Sequence, residues 1–105
     1  MDIKLSKEEI KEIIPGYFGR FIHTQHMSVV FWEVTKGAIV PEHSHMHEQI
    51  MQVLEGRFEF TLDNVTTIYE PGTLVVVPPN VPHSGKALTA CKLMDIFSPV
   101  RSEYK

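Results

Sequence analysis

Apolar and polar positions alternate along most of the chain, in short runs that turn residues separate. The clearest run is 57–62, where Phe58, Phe60 and Leu62 fall on one face of a strand and polar side chains fall on the other. Short strands with closely spaced turn signals are typical of an all-β sandwich or barrel. The pattern predicts strands over 17–22, 27–34, 48–54, 57–62, 65–69, 73–77 and 91–97.

One segment follows a helical period instead. Ser6 and Glu9 have the spacing of a capping box, and the isoleucines that follow them recur at helical intervals. We predict one short helix over 6–14, within an N-terminal flap formed by residues 1–16 that packs on a barrel formed by 17–105. The length of 105 residues, or 12.0 kDa, suits a single domain and leaves no room for a second core.

Composition excludes several classes of protein. Ten Lys and Arg residues are scattered along a chain of formal net charge −3, which argues against nucleic-acid binding through a basic face. The single cysteine, Cys91, excludes an internal disulfide and a cysteine-based zinc site, and we expect it to be a buried packing thiol. No apolar run reaches the roughly 20 residues of a membrane span, and no signal peptide is recognisable. We therefore expect a cytoplasmic protein with no nucleic-acid or membrane partner.

Three of the six histidines are clustered in the centre of the chain. On a regular strand the spacing of His43 and His45 would place both rings on one face, and His47 and Gln49 would follow on that face. His83 lies after a proline-rich turn that could return the chain to the same place. This combination favours a metal site over isolated surface histidines.

The spacing of these histidines and the glycines around them resembles the two signatures of the cupin superfamily. The first signature spans 37–56 and the second spans 72–83. The resemblance implies a small jelly-roll barrel, or double-stranded β-helix, with a divalent metal inside. The positions that carry it are Gly37, His43, His45, Gln49 and Gly56, followed by Gly72, Pro78, Pro79, Asn80 and His83.

The chain departs from the superfamily pattern at three positions. Gln49 replaces the usual Glu, Asn80 replaces a Gly and Ala87 replaces an Asn. Asn tolerates positive φ, so the turn should survive, but an amide leaves a divalent ion its full +2 charge and raises its affinity for anions. The ion could be Ni, Zn, Fe, Mn, Co or Cu. Carried over by position, the implied metal ligands are His43, His45, Gln49 and His83.

Several other side chains have open roles. His47 could be an alternative fourth ligand, a hydrogen-bond donor to a ligand or a surface residue, and strand parity makes Glu48 a weaker candidate. His23 and His26 stand alone, and we interpret them as partly exposed or hydrogen-bonded residues without a functional role.

The last predicted strand carries an acid among apolar residues. Lys92 indicates which face is outward, so Asp95 should point inward, where a carboxyl group is costly unless it is paired or functional. One interpretation is a structural Asp bonded to the backbone or to Arg101. The other is a general acid or base beside the metal.

The segment 95–101, together with 48–49 and 78–83, is similar to the small cupins of pectin and alginate breakdown. Those enzymes convert 4,5-unsaturated uronate monosaccharides to the open-chain keto form. The resemblance implies that Asp95, Phe97 and Arg101 face an anionic sugar substrate. Arg101 could hold the carboxylate of that substrate, and Asp95 could protonate C4.

Two other functions remain open from the sequence. One is a non-haem metal dioxygenase, which the neutral Gln49 mildly disfavours, and the other is a small-molecule-binding cupin without catalysis. We also expect a homodimer formed through the N-terminal strands, because a short barrel exposes apolar surface.

Overall fold

Strand pairing accounts for nearly all of the regular structure in the computed structural model, which describes residues 1–105. The only helical elements are two 3-10 helices, Leu5–Lys7 and Ser102–Tyr104. The ten strands in chain order are β1 (Lys11–Ile14), β2 (Tyr17–His23), β3 (Ser28–Val34), β4 (Ile39–His43), β5 (Glu48–Glu55), β6 (Phe58–Leu62), β7 (Val65–Tyr69), β8 (Leu74–Val77), β9 (His83–Ala87) and β10 (Cys91–Ser98).

The strands form two antiparallel sheets, and the all-β prediction is confirmed. One sheet has six strands in the order β1-β2-β3-β10-β5-β8, and the other has four in the order β4-β9-β6-β7. Every predicted strand is present with boundaries within one residue of the expected ones. A single core of 14 buried apolar residues, including Cys91, fills the molecule between the sheets.

The inner face of the six-stranded sheet follows the alternation expected for strands with one buried side. In β3, Val30, Trp32 and Val34 are buried while the residues between them are more exposed. In β10, which pairs with both β3 and β5, Leu93 and Asp95 are buried and Lys92 is exposed. Asp95 therefore points inward, as the sequence pattern predicts.

The predicted helix over 6–14 is wrong. A 3-10 helix occupies Leu5–Lys7, and Lys11–Ile14 forms β1, which pairs with the start of β2. The capping hydrogen bonds expected from Ser6 and Glu9 are absent. A nine-residue helix is marginal by itself, and β-branched isoleucines favour a strand once an edge is available for pairing.

Two strands that the sequence did not predict, β4 and β9, pair with each other and bring His43 opposite His83. Their neighbouring turns depend on residues with positive φ. Asn80 has a φ of 64°, so this turn survives the replacement of the usual Gly. Gly56, in the turn between β5 and β6, also has a positive φ of 92°, and a Cβ there would collide with the Ala90 carbonyl oxygen. No helix in the chain has the length and apolarity that a membrane crossing requires.

Candidate metal centre

Three histidines from two strands and one loop meet at one place. His43 ends β4, His83 begins β9, and His45 lies in the loop before β5. Their candidate ligand atoms all lie within 4.8 Å of one another, so the three rings could hold one metal ion. The expectation that His43 and His45 share the face of one regular strand is wrong, because β4 ends at His43 and the loop carries His45 to the site.

Backbone hydrogen bonds orient all three rings in the same way. Each Nδ1 lies within hydrogen-bond distance of a carbonyl oxygen, which can only accept, so each Nδ1 carries the proton. Each Nε2 then has a free lone pair, as a metal-bound imidazole requires. The Nδ1 contacts are His43 with Pro41 O at 2.9 Å, His45 with His47 O at 3.1 Å, and His83 with Val81 O at 2.8 Å.

Burial also favours the neutral form of two of these imidazoles, those of His45 and His83. Burial is the main cause that lowers the pKa of His83 from 6.5 to about 4, and burial likewise lowers the pKa of His45. The Nε2 atom of His83 is buried and has no hydrogen-bond partner. An unpartnered buried lone pair is costly unless an ion or another group occupies it. The residues therefore fit a bound divalent metal.

Gln49 connects this cluster to the opposite sheet. Its Nε2 donates to Asp95 Oδ1 at 3.0 Å, which turns its Oε1 toward His45 Nε2, 3.1 Å away. Because the proton of His45 is on Nδ1, His45 Nε2 and Gln49 Oε1 each direct a lone pair toward the other. Two acceptors about 3 Å apart are the arrangement expected of neighbouring ligands on one ion with bonds of about 2.1 Å.

Asp95 is buried and accepts two side-chain hydrogen bonds. Its Oδ2 accepts from Trp32 Nε1 at 3.0 Å, and its Oδ1 accepts from Gln49. Burial raises the pKa of Asp95 from 3.8 to about 6, and the two hydrogen bonds and the Arg101 charge oppose this rise without cancelling it. Its partners are therefore neither backbone groups nor a direct ion pair with Arg101, which were the partners expected of a purely structural Asp.

A cavity of about 350 Å³ joins these groups. His43, Gln49 and His83 line it together with Asp95 and several aromatic side chains. Most of the cavity wall is apolar, so the few polar groups within it would determine which ligand binds and in which orientation. The structure thus brings the predicted residues Asp95, Phe97 and Arg101 to the cavity beside the histidine cluster.

Arg101 is held by stacking and by one ion pair. Its guanidinium carbon lies 4.7 Å from the Phe97 ring centroid and 4.3 Å from that of Tyr104. Its Nε donates to Glu103 Oε1 at 2.6 Å. Because Arg carries five N–H donors, the terminal nitrogens remain available for a ligand.

His47 lies next to the cluster but outside the group of three. Its ring is buried beside His45 and Phe97, at centroid distances of 5.5 and 6.3 Å, and its Nδ1 has no hydrogen-bond partner. Its contribution to the cluster is its backbone oxygen, which accepts from His45. Glu48 is exposed.

Sequence reasoning missed part of the pocket wall. The sequence pattern does not point to Trp32 or Tyr104 as site residues, yet both line the cavity together with Ile13 and Ile14 of β1. The alternation of β3 already places Trp32 inward, but its hydrogen bond to Asp95 depends on the pairing of two strands distant in sequence.

The chain is similar to known proteins over most of its length. The family described as "Cupin domain" matches residues 30–97. A solved RmlC-like cupin from Shewanella frigidimarina is 31% identical, with a TM-score of 0.91 over 95% of this chain and 91% of that one. KdgF from a Halomonas species is 28% identical, with a TM-score of 0.90 over 95% of each chain.

The chain is also similar in sequence to one further protein. An uncharacterised protein of Streptomyces coelicolor is 26% identical over 88 residues, which are 83% of this chain and 84% of that protein. The solved structures confirm the small jelly-roll fold that the signatures imply. By the extent of the family match and the closeness of the solved structures, the chain belongs to the cupin family.

Proposed function

We propose that the protein is a metal-dependent enzyme that opens the ring of 4,5-unsaturated uronate monosaccharides and yields the linear keto form. The observation that carries this proposal is the position of Asp95. It is a buried carboxyl group of raised pKa, and it shares one cavity with an arginine and with two histidines of the three-histidine cluster, His43 and His83. These are the groups that an anionic sugar with a reactive enol ether requires. The sequence resemblance to uronate-linearising cupins points to the same reaction.

Arg101 binds the substrate in this proposal. A uronate carboxylate is planar and matches the two parallel N–H groups of a guanidinium. Stacking between Phe97 and Tyr104 limits the rotation of the Arg101 side chain, so less entropy is lost on binding. Phe97 also provides an apolar wall for the sugar ring.

Asp95 provides the proton. In the overall reaction the anomeric hydroxyl loses a proton, the bond from C1 to the ring oxygen breaks, that oxygen becomes the C5 carbonyl oxygen, and C4 gains a proton. No electrons are gained or lost. A carboxyl group of pKa about 6 is partly protonated near neutral pH and can protonate C4, whereas a solvent-exposed Asp cannot.

The metal ligands are His43, His45, Gln49 and His83. A divalent ion held by these four neutral ligands would supply Lewis acidity toward the carboxylate or a ring oxygen of the substrate. The chain's own residues hold the ligand atoms in place through the backbone hydrogen bonds of the three imidazoles and the Asp95 contact of Gln49.

The test follows the loss of the enol-ether ultraviolet absorbance when metal-loaded protein is mixed with lyase-generated unsaturated galacturonate or mannuronate. We expect a rate well above the spontaneous one, and a fall of about 100-fold or more in Asp95→Asn with metal content unchanged. Asp2→Asn, at an exposed position that does not line the cavity, is the matched control.

Two outcomes would favour other functions. Oxygen uptake with substrate would favour a dioxygenase, and tight binding of uronates without turnover would favour a binding cupin. Absence of acceleration on both uronates would refute the proposed reaction.

We further propose that the protein is a homodimer formed through the outer face of the six-stranded sheet. Ile22, Val29, Ile96, Ile50 and Val76 stand side by side across five strands and form a continuous apolar row. Such a row on the surface is typical of an association site. Light scattering should give the dimer mass, and Ile22→Lys should give the monomer mass. A monomeric wild-type protein would contradict the proposal.

The cytoplasmic location stays a prediction from the sequence.

A further inference from the structure

The segment that follows β10 crosses back over the cavity. It carries two cavity-lining residues, Arg101 and Tyr104, and ends in the 3-10 helix Ser102–Tyr104. The Tyr104 ring packs against Phe21 and Phe97 at centroid distances of 5.1 and 5.8 Å. The position of the Arg101 guanidinium therefore depends on how this segment is held.

A chain of three hydrogen bonds fixes both ends of the segment to the β2–β3 hairpin. The Arg101 backbone N–H donates to Ser28 Oγ at 2.8 Å. Ser28 Oγ lies 2.7 Å from His23 Nδ1, and His23 Nε2 lies 3.2 Å from the Tyr104 carbonyl oxygen. The chain starts and finishes on the same segment.

The direction of each bond follows from the partners at its ends. The Tyr104 carbonyl can only accept, so His23 Nε2 carries the proton of the tautomer that fits these contacts, and Nδ1 is the acceptor. Ser28 then donates its hydroxyl proton to His23 Nδ1 while it accepts from Arg101. Every donor has one acceptor, and Ser28 is fully buried, so no water competes for its hydroxyl.

We propose that His23 and Ser28 form a latch that positions Arg101 for the carboxylate of the substrate. The role assigned to Arg101 rests on the proposed function, whereas the latch itself rests on the geometry of the segment. His23 does not line the cavity, so it is a positioning residue that acts through the backbone on either side of the guanidinium. This gives a role to a histidine that the sequence left without one.

Each arm of the latch can be removed separately. In His23→Asn the amide oxygen takes the place of Nδ1 and keeps the Ser28 arm, whereas in His23→Gln the amide nitrogen takes the place of Nε2 and keeps the Tyr104 arm. His23→Ala removes both arms. Ser28→Ala removes the hydroxyl between His23 and Arg101 with little change in volume. His26→Ala, an exposed histidine in the turn between the same strands, is the matched control.

Two readouts that do not need activity report on the segment. Hydrogen exchange of the backbone amides of 101–105 should be about tenfold faster in Ser28→Ala and His23→Ala, in line with the loss of one to two hydrogen bonds. Acrylamide quenching of Trp32, the single tryptophan, should increase because its indole packs 6.0 Å from the Tyr104 ring. The Asn and Gln variants should fall between these and the wild type.

The kinetic readout separates positioning from stability. We expect the KM for the uronate to rise about tenfold in Ser28→Ala and His23→Ala, with kcat and metal content near those of the wild type. Unchanged exchange and quenching in both variants would overturn the latch. Faster exchange with an unchanged KM would overturn the positioning of Arg101. A wild-type protein inactive on uronates would instead overturn the proposed function, and the exchange data would still decide the latch.

Discussion

Gln49 offers an acceptor to one neighbour and a donor to another, and this explains why an amide replaces the usual carboxylate of the family. Its oxygen faces His45, and its nitrogen donates to Asp95. An ionised Glu at this position could only accept, so it would place a second carboxylate about 3 Å from that of Asp95. The side chain that donates this hydrogen bond to Asp95 is therefore also a proposed metal ligand.

Gln49→Glu should keep the metal and lose turnover. The added charge should strengthen metal binding, but two carboxyl groups in contact cannot both ionise readily, and the proton that they share is no longer free for the substrate. We expect turnover to fall about tenfold or more, with elemental analysis showing undiminished metal. Gln52→Glu, on the same strand but facing outward, is the control. Full activity of Gln49→Glu would contradict the amide's role.

The raised pKa of Asp95 predicts a pH dependence of turnover. The protonated carboxyl is the active form, and with a pKa of about 6 its fraction falls about tenfold for each pH unit above 6. The logarithm of kcat should therefore decline with a slope near −1 on the alkaline side. Stopped-flow absorbance across pH 5 to about 9 would measure it. A decline that persists in Asp95→Asn would assign the titration to another group.

At the scale of elements, the sequence predicts best where one face of a strand is buried. The alternation in β6 and β10 is visible without the structure, and it places Asp95 inward. The wrong helix prediction at β1 and the failure to predict β4 and β9 have a common cause. The isoleucines of β1 fit a helix and a strand equally well, and the choice depends on pairing with β2. β4 and β9 contain Pro41 and Gly85 and show no alternation of apolar residues, so they are defined by pairing, of β4 with β9 and of β9 also with β6.

Gly85 is the position where the pairing of β9 with β6 leaves no space for a side chain. A Cβ there would lie 2.4 Å from Cζ of Phe58, a buried ring, so Gly85→Ala should lower the free energy of unfolding by about 1–3 kcal/mol. Urea unfolding of the metal-free protein would measure the change. Ser84→Ala, the neighbouring residue on β9, should stay within about 0.5 kcal/mol of the wild type. Equal stability of the two variants would mean that the Phe58 ring moves without cost.

At the scale of the whole molecule, the candidate metal centre lies where the two sheets meet. His43 and His83 belong to the four-stranded sheet, whereas Gln49 belongs to the six-stranded sheet together with its partner Asp95. An ion bound to both sets of ligands would connect the sheets directly. The local sequence pattern alone does not predict that side chains from two sheets meet at one site. The resemblance to the family signatures does predict it.

This arrangement predicts that metal binding stabilises the fold as well as the site. Ligand at about 100 times its dissociation constant adds about 2.7 kcal/mol to the free energy of unfolding, and in a domain of this size each kcal/mol raises Tm by about 4–8 °C. Removing the metal with a chelator should therefore lower Tm by about 10 °C or more. Because the bound ion would join the sheets, His83→Ala and Gln49→Ala should each lose most of that shift although they come from different sheets, whereas His26→Ala should keep it. A full shift in Gln49→Ala would mean that the ion is held by the histidines alone and does not connect the two sheets.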